Sequence, residues 1–135
     1  MNSDNVYDLL LERLEGFLYH KSLLSDISAI ISRSGNELAF FRLLTARLIS
    51  LAQLGKKAVL LKEFEELRYA DGLCSLHIAG KDMNIRILYY YREDSAPVLL
   101  SAFTEKAGKR ITDYSSHTPV ANERKAEMEA KNDNE

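Results

Sequence analysis

The sequence predicts an α+β domain: a helical N-terminal half, a small antiparallel β-sheet of three or more strands, and a C-terminal helix. Three observations predict it. Apolar residues recur at three- and four-residue spacing up to Leu54, then alternate or run together in short segments between Leu73 and Phe103. Brief turn signals separate those segments, and tight connections join antiparallel neighbours. Finally, Thr118-Pro119 opens a charged stretch with the residues of a helix start.

Taken in order, Ser3 is placed to cap a first helix striped by Val6, Leu9, Leu10, Leu14, Phe17 and Leu18. Leu23, Leu24, Ile27, Ile30 and Ile31 continue that helix or form a second, ended by Gly35. Asn36 caps a third, which carries Leu38, Phe41, Leu44, Leu48, Leu51 and Leu54 and stops at Gly55. Arg42 and Arg47 lie off that stripe, facing solvent or a partner. Glu63-Phe64-Glu65-Glu66 reads as a solvated helical turn. Asp71-Gly72 then precedes a strand over 73–78, and Gly80-Lys81-Asp82 turns into a second over 83–91. After Glu93-Asp94-Ser95, Pro97 opens a third strand reaching Phe103. A polar loop spans 107–117, and the last helix runs from Thr118 to about Met128. Residues 1–128 read as one domain, with 1–35 a helical extension. The charged end 129–135 reads as a disordered tail, having no apolar periodicity to bury.

Composition narrows the function classes. The 135 residues, 46% of them hydrophobic, suffice for one core. No uncharged apolar run approaches the ~18–20 residues of a membrane span. The acidic start Met1-Asn2-Ser3-Asp4 is unlike a secretory signal, so a cytoplasmic chain without membrane association is expected. The single Cys74 forms neither an internal disulfide nor a cysteine zinc site, and reads as a small core residue. The net charge of −2 lacks the basic footprint of an autonomous nucleic-acid binder, so any such surface is local. His20, His77 and His117 have no metal-ligand spacing, and no Gly-rich phosphate loop or nucleophile elbow is present. Neither metal nor cofactor is expected.

Strand alternation sorts the chemistry. On the middle strand Met83, Ile85, Ile87, Tyr89 and Tyr91 share the apolar face, sending Asn84, Arg86, Leu88, Tyr90 and Arg92 to the other. His77 falls on that second side from the first strand. On the third, Val98/Leu100/Ala102 and Leu99/Ser101/Phe103 are both mostly apolar; if the first set is core, Ser101 and Phe103 join His77, Arg86 and Tyr90. Lys106 and Lys109 follow the strand end. An imidazole, a guanidinium, a phenol and ammonium groups on an open sheet face suit metal-free phosphodiester chemistry, and aromatic rings stack on unpaired bases. By residue type alone, Arg86 equally suits a surface salt bridge and His77 an edge position.

Four segments in sequence resemble the RelE/HigB superfamily of toxins from type II toxin–antitoxin systems, in its phage-derived HigB-type subgroup. They are Phe64-Glu65-Glu66-Leu67, Gly72-Leu73-Cys74-Ser75-Leu76-His77, Asn84-Ile85-Arg86-Ile87-Leu88-Tyr89, and Val98-Leu99-Leu100 through Phe103-Thr104-Glu105-Lys106 and Lys109. The likeness covers about residues 36–128. It implies a RelE-like fold and a cytoplasmic endoribonuclease that cuts mRNA on the ribosome. It also implies a cognate protein antitoxin, expected to be a helix-turn-helix protein. Carried over, Arg86 braces the scissile phosphate, Lys106 assists, and His77 stands where relatives carry Arg or His, a general-base position. Strand alternation adds Tyr90 to the catalytic candidates, and Lys109, Phe103 and Arg92 are the RNA-binding candidates. Glu105 stands where many relatives have a basic residue. The implied reaction is attack of a ribose 2′-OH on the adjacent phosphate, without cofactor. Two other classes remain open: a same-fold protein acting by binding alone, as a gyrase poison or an inactive toxin, and a helical interaction module working through residues 4–54.

Overall fold

A computed structural model describes residues 1–105 and 112–133. The chain runs α1 (Ser3–Arg13), β1 (Leu18–Tyr19), α2 (Ser22–Ile31), α3 (Glu37–Leu54), a 3-10 segment (Gly55–Leu60), β2 (Phe64–Glu66), β3 (Cys74–Gly80), β4 (Met83–Tyr91), β5 (Pro97–Thr104) and α4 (Thr118–Asp133). The fold is α+β as the sequence predicts. The sheet has five strands in the order β1-β5-β4-β3-β2 and is mixed rather than wholly antiparallel, because β1 pairs parallel to β5. Its central hairpins follow the turn signals: β3 pairs β4 from Cys74 opposite Tyr89 to Gly80 opposite Met83, and β4 pairs β5.

One face of the sheet carries the main core. Ile85, Ile87 and Tyr89 of β4 pack with Leu76, Ile78 and Leu99 against Val6, Leu10, Ile27, Phe40, Leu44 and Leu51 of the helices. The stripe of α3 is shifted from its expectation: Phe40 is fully buried, whereas Leu38 and Leu54 are exposed. Arg47 lies off the stripe but, rather than facing solvent, is half-buried and ties α3 to the sheet, its Nε donating to the His77 carbonyl at 2.8 Å. Among the described residues Glu37–Leu60 is the one segment apolar and long enough to cross a membrane; one side of it, Phe40, Phe41, Leu44, Leu48 and Leu51, fills the core, while Leu38, Ile49 and Leu60 are exposed. Cys74 is buried, and desolvation, with the Glu66 charge second, pushes its thiol up to about 11.

The other face is not open along its length. Leu67, Leu73, Leu88, Tyr90, Val98, Leu100 and Phe103 form a second core with Ala121 of α4. Alternation along β5 serves both layers, with Leu99 in the first core and Val98 and Leu100 in the second. The β4–β5 register shifts opposite Leu88/Tyr89, where Leu100 of β5 has no register partner. Polar contacts fix α4 over this layer. Arg124 Nη1 donates to Asp26 Oδ2 of α2 at 2.6 Å and to the Leu100 carbonyl at 2.9 Å. Asp26 Oδ2 also accepts the Ala102 amide at 3.1 Å, so this ion pair satisfies β5 backbone groups beyond the short β1 pairing. Nearby, His20 Nε2 meets Glu127 Oε2 at 2.9 Å.

Several local expectations are corrected. Asn2, not Ser3, caps α1, accepting the Asn5 amide at 2.9 Å. Asn36 sits at the start of α3 without a side-chain cap bond, its amide donating instead to the Asp82 carbonyl. Residues 64–66 are a strand rather than a helical turn, because pairing with β3 gives Phe64 a buried seat. Helix α4 runs past Met128 to Asp133, so part of the expected tail is helical.

Truncating the main core by Ile87→Ala costs about 2–5 kcal/mol through lost burial and the residual cavity. Urea titration checks this; an unchanged midpoint contradicts the strand phase. By the same measurement Arg124→Ala costs about 1.5–3 kcal/mol, the range of hydrogen bonds to charged groups.

Candidate functional site

The second face loses its apolar cover toward the β3–β4 turn, and there the polar side chains gather. His77 of β3 sits directly opposite Arg86 of β4, and Arg86 opposite Phe103 of β5. The His77 ring Nε2 bonds to Asn84 Oδ1, and Asn84 Nδ2 donates to Glu105 Oε2 at 3.2 Å. Glu105 Oε1 accepts from Arg86 Nε and, at 2.8 Å, from the Thr112 hydroxyl. The guanidinium also lies 3.9 Å from Glu65 Oε1 through Nη1. Tyr114 donates to that same Glu65 oxygen, its hydroxyl 3.0 Å from Ser75 Oγ. This network runs across three strands and the segment after β5.

Its electrostatics follow from partial burial. The Arg86 and Glu105 side chains are only 14% and 13% exposed. Burial alone would raise the Glu105 pKa, but hydrogen bonds from Arg86 and Thr112 outweigh it and hold the carboxyl below its ordinary range. Tyr114 is pushed up to about 12, first by desolvation and then by its bond to Glu65, so it is a neutral donor at physiological pH. The bonding also fixes the His77 tautomer. An amide nitrogen facing Glu105 turns the Asn84 oxygen toward His77, which requires a proton on Nε2 and leaves Nδ1 of the neutral ring as the proton acceptor.

Arg86 and Tyr114 line an open cleft of about 660 Å3 between the β2–β3 loop, which supplies Arg68 and Tyr69, and the approach to α4. The β3–β4 register places Arg86 and His77 side by side, with Arg86 but not His77 among the residues lining this cleft. Tyr90 is not with them: it is buried in the second core, with Lys125 Nζ 5.2 Å from its ring centre. Phe103 is committed to packing, stacked on the His117 ring at 3.7 Å and edge-on to Tyr114. Arg92 lies just past the end of β4, six residues and roughly 20 Å from Arg86, where it pairs with Asp94 at 2.5 Å in the β4–β5 turn. Lys106 and Lys109 lie outside the described residues.

Sequence reading overlooked Glu65, Asn84, Thr112 and Tyr114 as site members. Alternation puts Asn84 on the right face, and pairing of 64–66 as a strand would have brought in Glu65. Thr112 and Tyr114 come from a loop with no periodicity to orient them. No family model matches this chain, and a comparison with curated proteins found no match.

Because its folded-state pKa is depressed, Glu105 contributes stability that is complete above its ordinary value of 4.5 and is lost as pH falls through the folded-state value. Between about pH 5 and pH 3 the urea midpoint should fall less steeply for Glu105→Gln than for the parent, from a lower neutral starting point. Parallel acid limbs would contradict this coupling.

Proposed function

We propose that this protein is the toxin of a type II toxin–antitoxin pair: a cytoplasmic, metal-independent endoribonuclease of the RelE/HigB type, acting on ribosome-bound mRNA and restrained by a helix-turn-helix antitoxin. The observation that carries the reading is the cross-strand pair of His77 and Arg86, with the guanidinium at the wall of an open cleft. The four-segment resemblance supports it independently.

In the proposed reaction, the 2′-oxygen of one ribose attacks the adjacent phosphorus while the P–O5′ bond breaks. The products are a 2′,3′-cyclic phosphate and a 5′-hydroxyl. His77 Nδ1 takes the 2′ proton, and solvent water protonates the departing O5′. Arg86 stabilises charge building on the nonbridging oxygens, where a fixed donor acts mainly on the transition state. The phosphate reaches the guanidinium by exchanging with Glu105 or by using the N–H groups that Glu105 leaves unbonded. Small net charge suits a chain whose RNA is presented by the ribosome, since long-range steering is then less needed.

The Arg86–Glu105 pair also favours a second reading, a same-fold protein that acts by binding alone, because the guanidinium already has a carboxylate partner. Expression without antitoxin, with mapping of cleaved transcripts, separates the two. Arg86→Ala should lower cleavage about 10²–10³-fold and relieve growth inhibition while leaving the chain folded. His77→Ala should cost about 10²–10⁴-fold as a proton-transfer residue. Full toxicity from a folded Arg86→Ala protein contradicts the nuclease reading.

A further inference from the structure

We propose that the β2–β3 loop is a nucleotide-holding arm of this cleft, in which the Tyr69 ring stacks on an unpaired base and Arg68 pairs with its phosphate. The proposal rests on the RNA reading above and names the residues that would hold the substrate beside Arg86. Tyr69 is 103% exposed and adds nothing to either core. Its backbone is left-handed, at φ 58°, where Gly, Asn or Asp is the ordinary choice and a bulky residue is disfavoured. Folding thus gives no reason for an aromatic residue at this position, and turn chemistry argues against one.

The tip projects from a fixed root. The Leu67 amide bonds the Leu73 carbonyl at 2.9 Å, the Leu73 amide bonds the Ala70 carbonyl at 3.1 Å, and Leu67, Ala70 and Leu73 are anchored in the second core. Lys125 of α4 donates to the Asp71 carbonyl. A ring presented on a rigid root loses little freedom when it binds. Arg68 is exposed and, among the described residues, has no ion-pair partner. Glu65 and Glu66 line the same cleft, so a phosphate is favoured at the Arg68 rim and the flat base beside the Tyr69 ring. Stacking reads the face common to all bases but requires that the base be unpaired, which makes the ligand single-stranded.

The chain has no tryptophan, so Tyr69→Trp gives a single tryptophan, selectively excited apart from the remaining tyrosines, at the proposed contact. Titrated with a single-stranded adenine oligodeoxynucleotide, which lacks the 2′-hydroxyl needed for cleavage, its emission should quench saturably, and a duplex should quench far less. Tyr69→Ala should weaken oligonucleotide binding about 5- to 100-fold, with Tyr69→Phe close to the parent. Unquenched emission, or unchanged affinity in Tyr69→Ala, overturns the proposal. So does a Tyr69→Ala chain that keeps its oligonucleotide affinity but releases a co-purifying protein, which would assign the ring to protein docking. Because the probe cannot be cut, quenching without RNA cleavage would sink the nuclease reading alone, and cleavage without quenching would sink the arm alone.

Discussion

The burial of β4 and β5 on both faces is the constraint from which the other features follow. Ile87 and Leu99 face the helices of the N-terminal half, while Leu88, Val98 and Leu100 face α4, so the central strand pair has no fully wet side along most of its length. A sheet covered in this way needs its edge groups closed, and the Asp26–Arg124 pair does so at β5 while holding two distant helices together. Alternation along β5 lets one run of apolar residues feed two layers, Leu99 into one and Val98 and Leu100 into the other. Where α4 and the second core stop, polar side chains on the same face are free to be used for something other than packing.

At that open end charge is arranged under partial burial, which makes each contact consequential. Arg86 cannot sit nearly enclosed without a counter-charge, and Glu105 supplies it while bonded to Asn84 and Thr112. The Asn84 bond in turn sets which nitrogen of His77 is basic. A substrate phosphate would therefore enter a pre-paired arrangement, where the cost of parting Arg86 from Glu105 is offset by contacts to the rest of the nucleotide. The β2–β3 loop, with its exposed Arg68 and Tyr69, is where such contacts are to be sought.

Much of this was legible in the residues, and what was not has physical causes. Period-two alternation put Ile85, Ile87 and Tyr89 in the helix-facing core and Arg86 opposite them, as found. The same alternation could not say that α4 covers the far face, which is why Tyr90 and Phe103 read as site residues. The warning was the unbroken apolar run of β5, ambiguous because a strand buried on both sides does not alternate. The two-residue β1 was too short to show any period, so its parallel pairing was invisible. Glu65 was hidden because residues 64–66 take their strand form from β3 rather than from local propensity. Thr112 and Tyr114 reach the site by a path that only tertiary structure defines.

End-group chemistry of the cut RNA tests the account most directly. The purified protein, free of antitoxin, would be added to translating ribosomes, and the new mRNA ends identified. The account predicts 5′-hydroxyl ends that accept ligation only after phosphorylation, matched by 2′,3′-cyclic phosphates, in a reaction that depends on Arg86. Ends bearing 5′-phosphates, or transcripts left intact by a folded and ribosome-exposed protein, would contradict it.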